Sequence, residues 1–401
     1  MLVRGSAVAQ RHLVQHAGAQ ASCCEATPNT REKGGISAEV VVGSRRSATK
    51  LHSFRWLSYS RVMLRASWMS VCVTLAFTVL GCGRDKKGGS AASSLASASV
   101  SASVSASARA RAESGRAFVI GVSQCNLGEP WRVQMNADIT QAAARHPELK
   151  LVMKDAQNDS LRQRAQVEEL LEQKVNLLII SPKESAPLTK PVAEVYDKGV
   201  PVIVLDRAVE GDRFTSFIGA DNRRIGREAG KFIAATLGGK GNVVELKGLM
   251  TSTPGRDRHE GFVQGLADAD AKGVKVVFEA DMQWLEPNAR KEMESALAAN
   301  KSIQLVYAHN DPGAHGAYLA AKAAGREREM KFVGIDALPH EGVRYVKEGI
   351  LDATFAYPTG GAEAIELALK LRAGEKVPKK VTLGTRLYTK ENVERGGQAI
   401  D

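Results

Sequence analysis

The sequence predicts an α/β protein with two doubly wound, Rossmann-like lobes, each built on a parallel sheet. From Phe118 onward, short apolar runs rich in β-branched residues alternate with longer amphipathic runs. The short runs are apolar along nearly their whole length, which is typical of parallel strands covered by helices on both faces. They fall into two groups of five, and the roughly 285 residues that carry them suffice for two separate cores.

The strands are expected in two successive sets. The first set is predicted at Phe118–Ser123, Leu149–Lys154, Leu177–Ser181, Val200–Asp206 and Ser216–Ala220. The second set is predicted at Asn242–Leu246, Val274–Glu279, Ile303–His309, Lys331–Asp336 and Ala353–Tyr357. The segments between strands have helical periodicity, as in Gln163–Gln173, Ile225–Leu237, Ala289–Asn300 and Ala314–Ala324.

A processing signal precedes the folded part. An apolar run from Val71 to Leu80 follows Arg61 and Arg65 and ends at Leu-Gly-Cys82. A positive segment, a short apolar core and a small residue before the cleavage point predict a secretory signal, which is too short to span a bilayer. An uncleaved signal anchor is the alternative. Cleavage before Cys82 would make this cysteine the lipidated N-terminus of an exported protein.

The organisation of the N-terminal part follows from this signal. Residues 1–62 are patternless and lie upstream of it, so we expect a disordered segment or a start annotated too early, with Met63 as the true start. Residues 63–82 are the predicted lipoprotein signal peptide. Residues 83–116 are dominated by Ser and Ala and are predicted to form a flexible tether between the lipid and the folded part.

The charge and the cysteine content argue against a nucleic-acid partner, an internal disulfide and a cysteine nucleophile. The chain has a net charge of +11, but residues 1–82 hold ten Lys/Arg and three Asp/Glu, so most of the excess precedes the cleavage site. The positive charge therefore gives no reason to expect a nucleic-acid partner. Of five cysteines only Cys125 follows Cys82, so the folded part is predicted to have no internal disulfide. Cys125 is interpreted as a small loop residue and not as a nucleophile.

Polar residues collect where the predicted strands end. Ligands of open α/β sheets bind beyond the carboxyl ends of the strands, and one polar residue there could be a helix cap. Here seven ends from both groups carry such residues: Ser123 followed by Glu129, Trp131 and Arg132; Lys154 and Asp155; Ser181; Asp206 and Arg207; Asn310 and Asp311; Asp336; and Tyr357. Carboxylates and amides pair with hydroxyls, Arg adds a planar donor fork, and an aromatic face can cover a sugar ring. The set predicts a site for a neutral, polyhydroxylated ligand and not for a phosphate.

Other motifs are weak. The run from Gly238 to Gly241 precedes a strand, so it is expected to be a turn and not a phosphate loop. His309, Asp311 and His315 match no standard metal-ligand spacing, and no metal or cofactor is expected. No nucleophile elbow is present in the sequence.

A set of motifs in fixed order resembles a known family. They are Gly121-Val122-Ser123, Val204-Leu205-Asp206-Arg207, Ala220-Asp221-Asn222, Val243-Val244-Glu245-Leu246-Lys247-Gly248, Arg256-Asp257-Arg258-His259-Glu260-Gly261-Phe262, Tyr307-Ala308-His309-Asn310-Asp311 and Val333-Gly334-Ile335-Asp336. Over about residues 117–390 the chain resembles the periplasmic sugar-binding proteins of ABC transporters, in the ribose- and galactofuranose-binding group. The resemblance implies a type I periplasmic binding protein, with two lobes joined by a three-segment hinge. The expected lobes are residues 117–221 with 358–386, and residues 222–357 with 387–401.

The resemblance also implies the sugar contacts. By motif position they are Ser123, Trp131, Arg132, Asp206, Arg207, Arg256, Asn310 and Asp336. Three departures from the ribose-type pattern put ribose itself in doubt. Glu129-Pro130-Trp131-Arg132 replaces Asn-Pro-Phe-Phe, Ser181 replaces an Asn, and Tyr357 replaces a Gln. Glu129 and Arg132 either form an ion pair at the mouth of the pocket or bind an extra hydroxyl. These residues and Asp155 complete the expected site.

The expected function follows from the anchor and the strand ends together. We expect a monomeric solute-binding protein, attached to the membrane only through its lipid, that captures a monosaccharide or related polyol and hands it to an ABC permease. A sugar-sensing module that presents the closed lobes to a receptor kinase or chemoreceptor is the alternative. A sugar-processing enzyme would need Asp206 and Asp336 to flank one bond, and the neighbouring arginines disfavour that role.

Overall fold

The computed structural model describes residues 117–400, and they form two sheets with helices packed against them. The predicted signal peptide, Cys82 and the tether lie outside the described residues. Within residues 117–400 no helix is both long and apolar enough to cross a membrane.

The first sheet has six strands, and all neighbouring strands run parallel. Its order is β11-β5-β4-β3-β1-β2. The strands are β1 (Phe118–Gln124), β2 (Leu149–Asp155), β3 (Leu177–Ser181), β4 (Val202–Leu205), β5 (Ser216–Ala220) and β11 (Lys380–Leu383). Every residue of β3 and β4 is buried, because helices cover both faces of the sheet at its centre.

The second sheet has seven strands in the order β13-β12-β10-β9-β8-β6-β7. They are β6 (Lys240–Lys247), β7 (Gly273–Asp281), β8 (Leu305–Ala308), β9 (Lys331–Asp336), β10 (Ala353–Ala356), β12 (Arg386–Thr389) and β13 (Gln398–Ala399). Strands β6 to β10 pair in parallel, whereas β12 and β13 are antiparallel additions at one edge.

Nine α-helices lie in the described part of the chain. They are α1 (Pro130–Ala143), α2 (Ser160–Glu172), α3 (Ser185–Asp197), α4 (Asn222–Thr236), α5 (Thr253–Asp268), α6 (Glu286–Ala299), α7 (Asp311–Ala323), α8 (Gly342–Glu348) and α9 (Gly361–Arg372). Several begin where the sequence supplies a start signal. The side chains of Asp159, Asp221 and Asn310 accept backbone N–H groups of the first turns of α2, α4 and α7.

The predicted fold class is confirmed. All ten predicted strands are present, although β4 and β8 begin two residues later than expected, at Val202 and Leu305. The four helical segments coincide with α2, α4, α6 and α7. The sequence analysis missed β11, β12 and β13, because runs of two to four residues are too short for a periodic pattern. The exact boundaries of the lobes stay a prediction.

The chain crosses between the two sheets three times. It crosses after β5, after β10 and after β11, so residues near 221, 357 and 384 join the lobes. Helix α4 starts directly after the first crossing and packs against α5 with almost no separation. A Cβ atom at Gly226 or Gly230 of α4, or at Gly261 or Gly265 of α5, would overlap the backbone of the other helix. Glycine therefore allows α5 to lie against the start of the hinge.

Candidate ligand-binding cleft

A small cleft lies where both sheets contribute side chains. Its own side chains nearly fill it, and the free space inside is about 20 Å³, which is room for roughly one water molecule. The lining residues are Glu129, Trp131, Arg132, Asp206, Arg207, Pro254, Arg258, Trp284, Asn310, Asp336 and Tyr357.

Asp206 is the centre of the first lobe's half of the cleft. It follows β4 with a left-handed backbone, φ 66°. Arg132 Nη2 lies 2.7 Å from Asp206 Oδ2, and Arg132 Nη1 donates to Ser181 Oγ at 2.7 Å. Burial raises the pKa of Asp206, but the charges of Arg132 and Arg207 outweigh it and hold the pKa below its usual range. Asp206 is therefore an ionised acceptor that is fixed in place.

Glu129 lies between the two arginines of this half-site. Its Oε1 is 3.6 Å from Arg207 Nη2, and its Oε2 is 3.7 Å from Arg132 Nε. Both contacts are close enough for ion pairs but too long for hydrogen bonds. Within the described residues, Arg132 Nε and Arg207 Nε and Nη2 are buried without a hydrogen-bond partner. Buried donors are nearly always satisfied, so these three nitrogen atoms are suited to donate to the oxygen atoms of a ligand.

Arg258 is the cation of the second lobe's half. Its Nε donates to Asn222 Oδ1 at 2.8 Å, and its Nη1 donates to the backbone carbonyl of His309. Its Cζ lies 5.3 Å from the ring centroid of Trp284 and 4.7 Å from that of Tyr357. Hydrogen bonds and cation–π contacts together hold the guanidinium in one position.

Asp336 is the carboxyl group nearest to Arg258 in the cleft lining, and the two are farther apart than Asp206 and Arg132. Its Oδ1 is 4.0 Å from Arg258 Nη1. Burial raises the pKa of Asp336 well above its usual range, and the attraction of Arg258 only partly opposes that effect. A carboxyl group in this state can donate as well as accept a hydrogen bond. The cleft therefore has one firmly ionised carboxylate, Asp206, and one that resists ionisation.

Aromatic rings from both lobes line the cleft. Trp131 Nε1 donates to the backbone carbonyl of Tyr357 at 2.7 Å, and the two ring centroids are 5.2 Å apart. Trp284 comes from the second lobe and has a left-handed backbone, φ 70°. Its ring lies against Gly248, where a Cβ atom would overlap the indole. Such rings supply apolar faces for the C–H groups of a ligand.

Two residues of the crossing segments connect these side chains. Asn222 stands at the first crossing and Tyr357 at the second, and Asn222 Nδ2 lies 3.2 Å from the Tyr357 hydroxyl. Asn222 also accepts from Arg258, so the hinge is hydrogen-bonded directly to the cleft.

The structure brings eight of the expected site residues together at the cleft. They are Glu129, Trp131, Arg132, Asp206, Arg207, Asn310, Asp336 and Tyr357. Ser181 lies behind them and orients Arg132. Ser123 is fully buried and Asp155 is half-buried, where it accepts the Gln157 backbone N–H, and neither lines the cleft.

Arg256 requires a correction. It is exposed on α5 and does not line the cleft, whereas Arg258 is buried and does. Residues two positions apart on a helix point about 200° away from each other, so only one of the two arginines can face the cleft. The spacing of the buried residues Pro254, Arg258 and Phe262 identifies the correct one.

Trp284 and Pro254 were also missed. Strand β7 continues to Asp281, two residues beyond the predicted end, so Trp284 is closer to a strand end than expected. Pro254 lies in the first turn of α5, where proline is a common start signal and does not indicate a binding role.

His309, which precedes the cleft residue Asn310, belongs to a buried polar network. Glu245 Oε1 lies 3.0 Å from both His259 Nδ1 and His309 Nε2. Burial raises the pKa of Glu245, but the hydrogen bonds to the two histidines outweigh it and lower the pKa to about 2. The same hydrogen bond raises the pKa of the half-buried His259, whereas burial lowers that of His309. Of the two histidines that contact Glu245, His259 is therefore the one that is more readily protonated.

We predict that this network makes stability depend on acid pH. The pKa of Glu245 is lower in the folded chain than the 4.5 of a free glutamate. It therefore contributes stability above that pH, and the contribution is lost as the pH falls toward 2. The stability advantage of the native chain over Glu245→Gln should shrink between about pH 5 and about pH 2. Urea unfolding across this range measures it, and an advantage that is constant with pH would contradict the pairing.

The comparisons with known proteins agree with this architecture. Residues 120–376 match a family described as "Periplasmic binding protein domain". The ribose import binding protein RbsB of Bacillus subtilis is 31% identical over 69% of this chain and 88% of its own length. The fructose-binding periplasmic domain of a hybrid two-component system is 43% identical, with a TM-score of 0.67 over 70% of this chain and 93% of that domain. A solute-binding protein of Bacillus halodurans with bound myo-inositol is 32% identical, with a TM-score of 0.67 over 71% and 98% of the two chains.

The matches extend over the whole described fold and include relatives above 30% identity. This family consists of solute-binding proteins without enzymatic activity, which excludes the sugar-processing alternative and confirms that the chain is not an enzyme. The chain belongs to the type I periplasmic binding protein family, as a sugar-binding protein of the ABC-transporter group that resembles the ribose- and galactofuranose-binding proteins.

Proposed function

We propose that the protein captures a neutral monosaccharide or related polyol between its lobes and delivers it to an ABC permease. The observation that carries this proposal is the cleft, where paired charges and aromatic rings from both lobes converge. Relatives named for ribose import and a relative with bound myo-inositol support the ligand class.

The balance of charge in the first lobe's half supports a neutral ligand. There Glu129 and Asp206 balance Arg132 and Arg207. An anionic ligand would meet Asp206 and Glu129 without water to screen them, which is unfavourable in a buried site.

Binding and closure are linked because the two halves lie on different lobes. A ligand that contacts Asp206 and Arg258 at once gains its full set of contacts only when the lobes are closed. It therefore shifts the equilibrium toward the closed arrangement by the difference in those contacts. The hydrogen bonds through Asn222 and Tyr357 keep the hinge side of the cleft ordered.

We predict that Arg258→Ala abolishes sugar binding and that Arg256→Ala does not. Truncating one member of a buried charged pair costs about 2–5 kcal/mol, or roughly thirtyfold or more in affinity. Arg256 is a matched control, because it is an exposed arginine on the same helix. Calorimetry with D-fructose, D-ribose, myo-inositol and xylitol tests both variants. A folded native chain that binds none of the neutral sugars or polyols in a wider panel would overturn the proposed function.

A second candidate function is sugar sensing. The fructose-binding periplasmic domain of a hybrid two-component system is 43% identical, so the same cleft is compatible with signalling. We expect deletion of the gene to abolish uptake of the radiolabelled sugar in cells and to leave the transcriptional response to that sugar intact. Normal uptake with loss of the transcriptional response would instead assign the protein to sensing.

We also propose that a lipid on Cys82 holds the protein at the cell envelope. The proposal is supported by the Leu-Gly-Cys82 motif at the end of an apolar run. Cys82→Ser should abolish incorporation of radiolabelled palmitate and move the protein out of the membrane fraction. Cys125→Ser is the control, since Cys125 is buried in the folded part. Equal labelling of the Cys82→Ser chain and the native chain would contradict the anchor.

A further inference from the structure

Asp311 is a fully buried acid that does not line the cleft. It is the first residue of α7 and follows the cleft residue Asn310. Its Oδ2 accepts the backbone N–H of Ala337 at 2.7 Å, and its Oδ1 lies 2.6 Å from Thr354 Oγ1. The carboxyl group therefore joins α7 to the residue that comes directly after Asp336.

The backbone at this point is unusual. Asp336 has φ 130° and Ala337 has φ 52°, although neither is a glycine. Side chains disfavour such positive φ values, and they persist only where the surrounding structure holds them. The only side-chain hydrogen bond to the Ala337 N–H within residues 117–400 comes from Asp311. The direction of the Asp336 side chain depends on the backbone that this bond fixes.

Space for Asp311 is provided by two glycines. A Cβ atom at Gly334 of β9 or at Gly342 of α8 would overlap the carboxylate oxygens of Asp311. The strand before Asp336 and the helix after it therefore both approach this carboxyl group closely. Such close packing around one side chain leaves the loop with a single arrangement.

We propose that Asp311 is a positioning residue that sets the orientation of Asp336 toward the ligand through the backbone N–H of Ala337. The proposal rests on the proposed function, because Asp336 is taken as a contact of the bound sugar. Asp311 itself does not touch the ligand. A variant that loses the acceptor should lower affinity although no residue that lines the cleft has been substituted.

Asp352 offers a matched control, because it accepts a backbone N–H of the same strand, β9. Asp352 Oδ2 accepts the backbone N–H of Phe332 at 2.9 Å, at the opposite end of β9 from Asp336. Asp311 and Asp352 thus make the same kind of bond to the two ends of one strand. A loss that is merely structural would arise from either substitution, whereas a loss of positioning would arise only from the one next to the cleft.

The test compares Asp311→Ala, Asp311→Asn and Asp352→Ala in the full chain, with D-fructose, D-ribose and myo-inositol as probes in calorimetry. Asp311→Ala should weaken binding about tenfold or more, because it leaves the Ala337 N–H without its acceptor. Asp311→Asn keeps an acceptor oxygen and should stay within about threefold of the native affinity. Asp352→Ala should lower the unfolding temperature and keep native affinity. Equal losses in Asp311→Ala and Asp352→Ala, or native affinity in Asp311→Ala, would overturn the proposal.

Hydrogen exchange of the Ala337 amide, measured by NMR without sugar, separates this proposal from the proposed function. We expect faster exchange in Asp311→Ala and slow exchange in Asp311→Asn and Asp352→Ala. If the native chain binds none of the three probes, this pattern still supports the positioning role, and unchanged exchange refutes it.

If Asp311→Ala does not fold, Thr354→Val takes its place, because it removes the other hydrogen bond of Asp311. That variant should speed exchange at Ala337, and a native rate there would refute the proposal.

Discussion

The structure depends on the burial of opposite charges in one small cleft between two lobes. Three arginines and three carboxyl groups line it, and each must be paired or hydrogen-bonded because isolated charges are unstable away from water. The first lobe meets this requirement within itself, through the contact of Arg132 with Asp206. The second lobe meets it less completely, since Arg258 and Asp336 are 4.0 Å apart. The buried arginine nitrogens that still lack a hydrogen-bond partner, Arg132 Nε and Arg207 Nε and Nη2, nevertheless lie on the first lobe, where a ligand can satisfy them.

This difference divides the work of recognition between the lobes. The half-site around Asp206 is a rigid set of ionised groups, because its salt bridge and hydrogen bonds exist without a ligand. The half-site around Asp336 combines a carboxyl group with a raised pKa and a strained backbone. The first is suited to fix the orientation of a sugar, and the second is suited to distinguish one pattern of hydroxyls from another.

The fold and much of the cleft could be predicted from the sequence, because both depend on local patterns. Apolar runs mark the strands, and the carboxyl ends of parallel strands meet at one edge, so Asp206, Asn310 and Asp336 were expected together. Arg258 was confused with Arg256, because a motif gives the neighbourhood of a residue but not its phase on a helix. Trp284 was missed because β7 ends two residues later than predicted and because its contact with Gly248 joins residues that are far apart in the sequence. No local pattern records such contacts.

The glycine contact between α4 and α5 makes the two helices a single mechanical part. Helix α4 starts at Asn222, beside the first crossing, and α5 carries Arg258, so no flexible segment separates the hinge from the guanidinium. The Arg258 guanidinium also lies 4.7 Å from the ring centroid of Tyr357 at the second crossing. Residues of two crossing segments therefore hold it before any sugar is bound. The segments that join the lobes thus also position one of the groups that face the ligand.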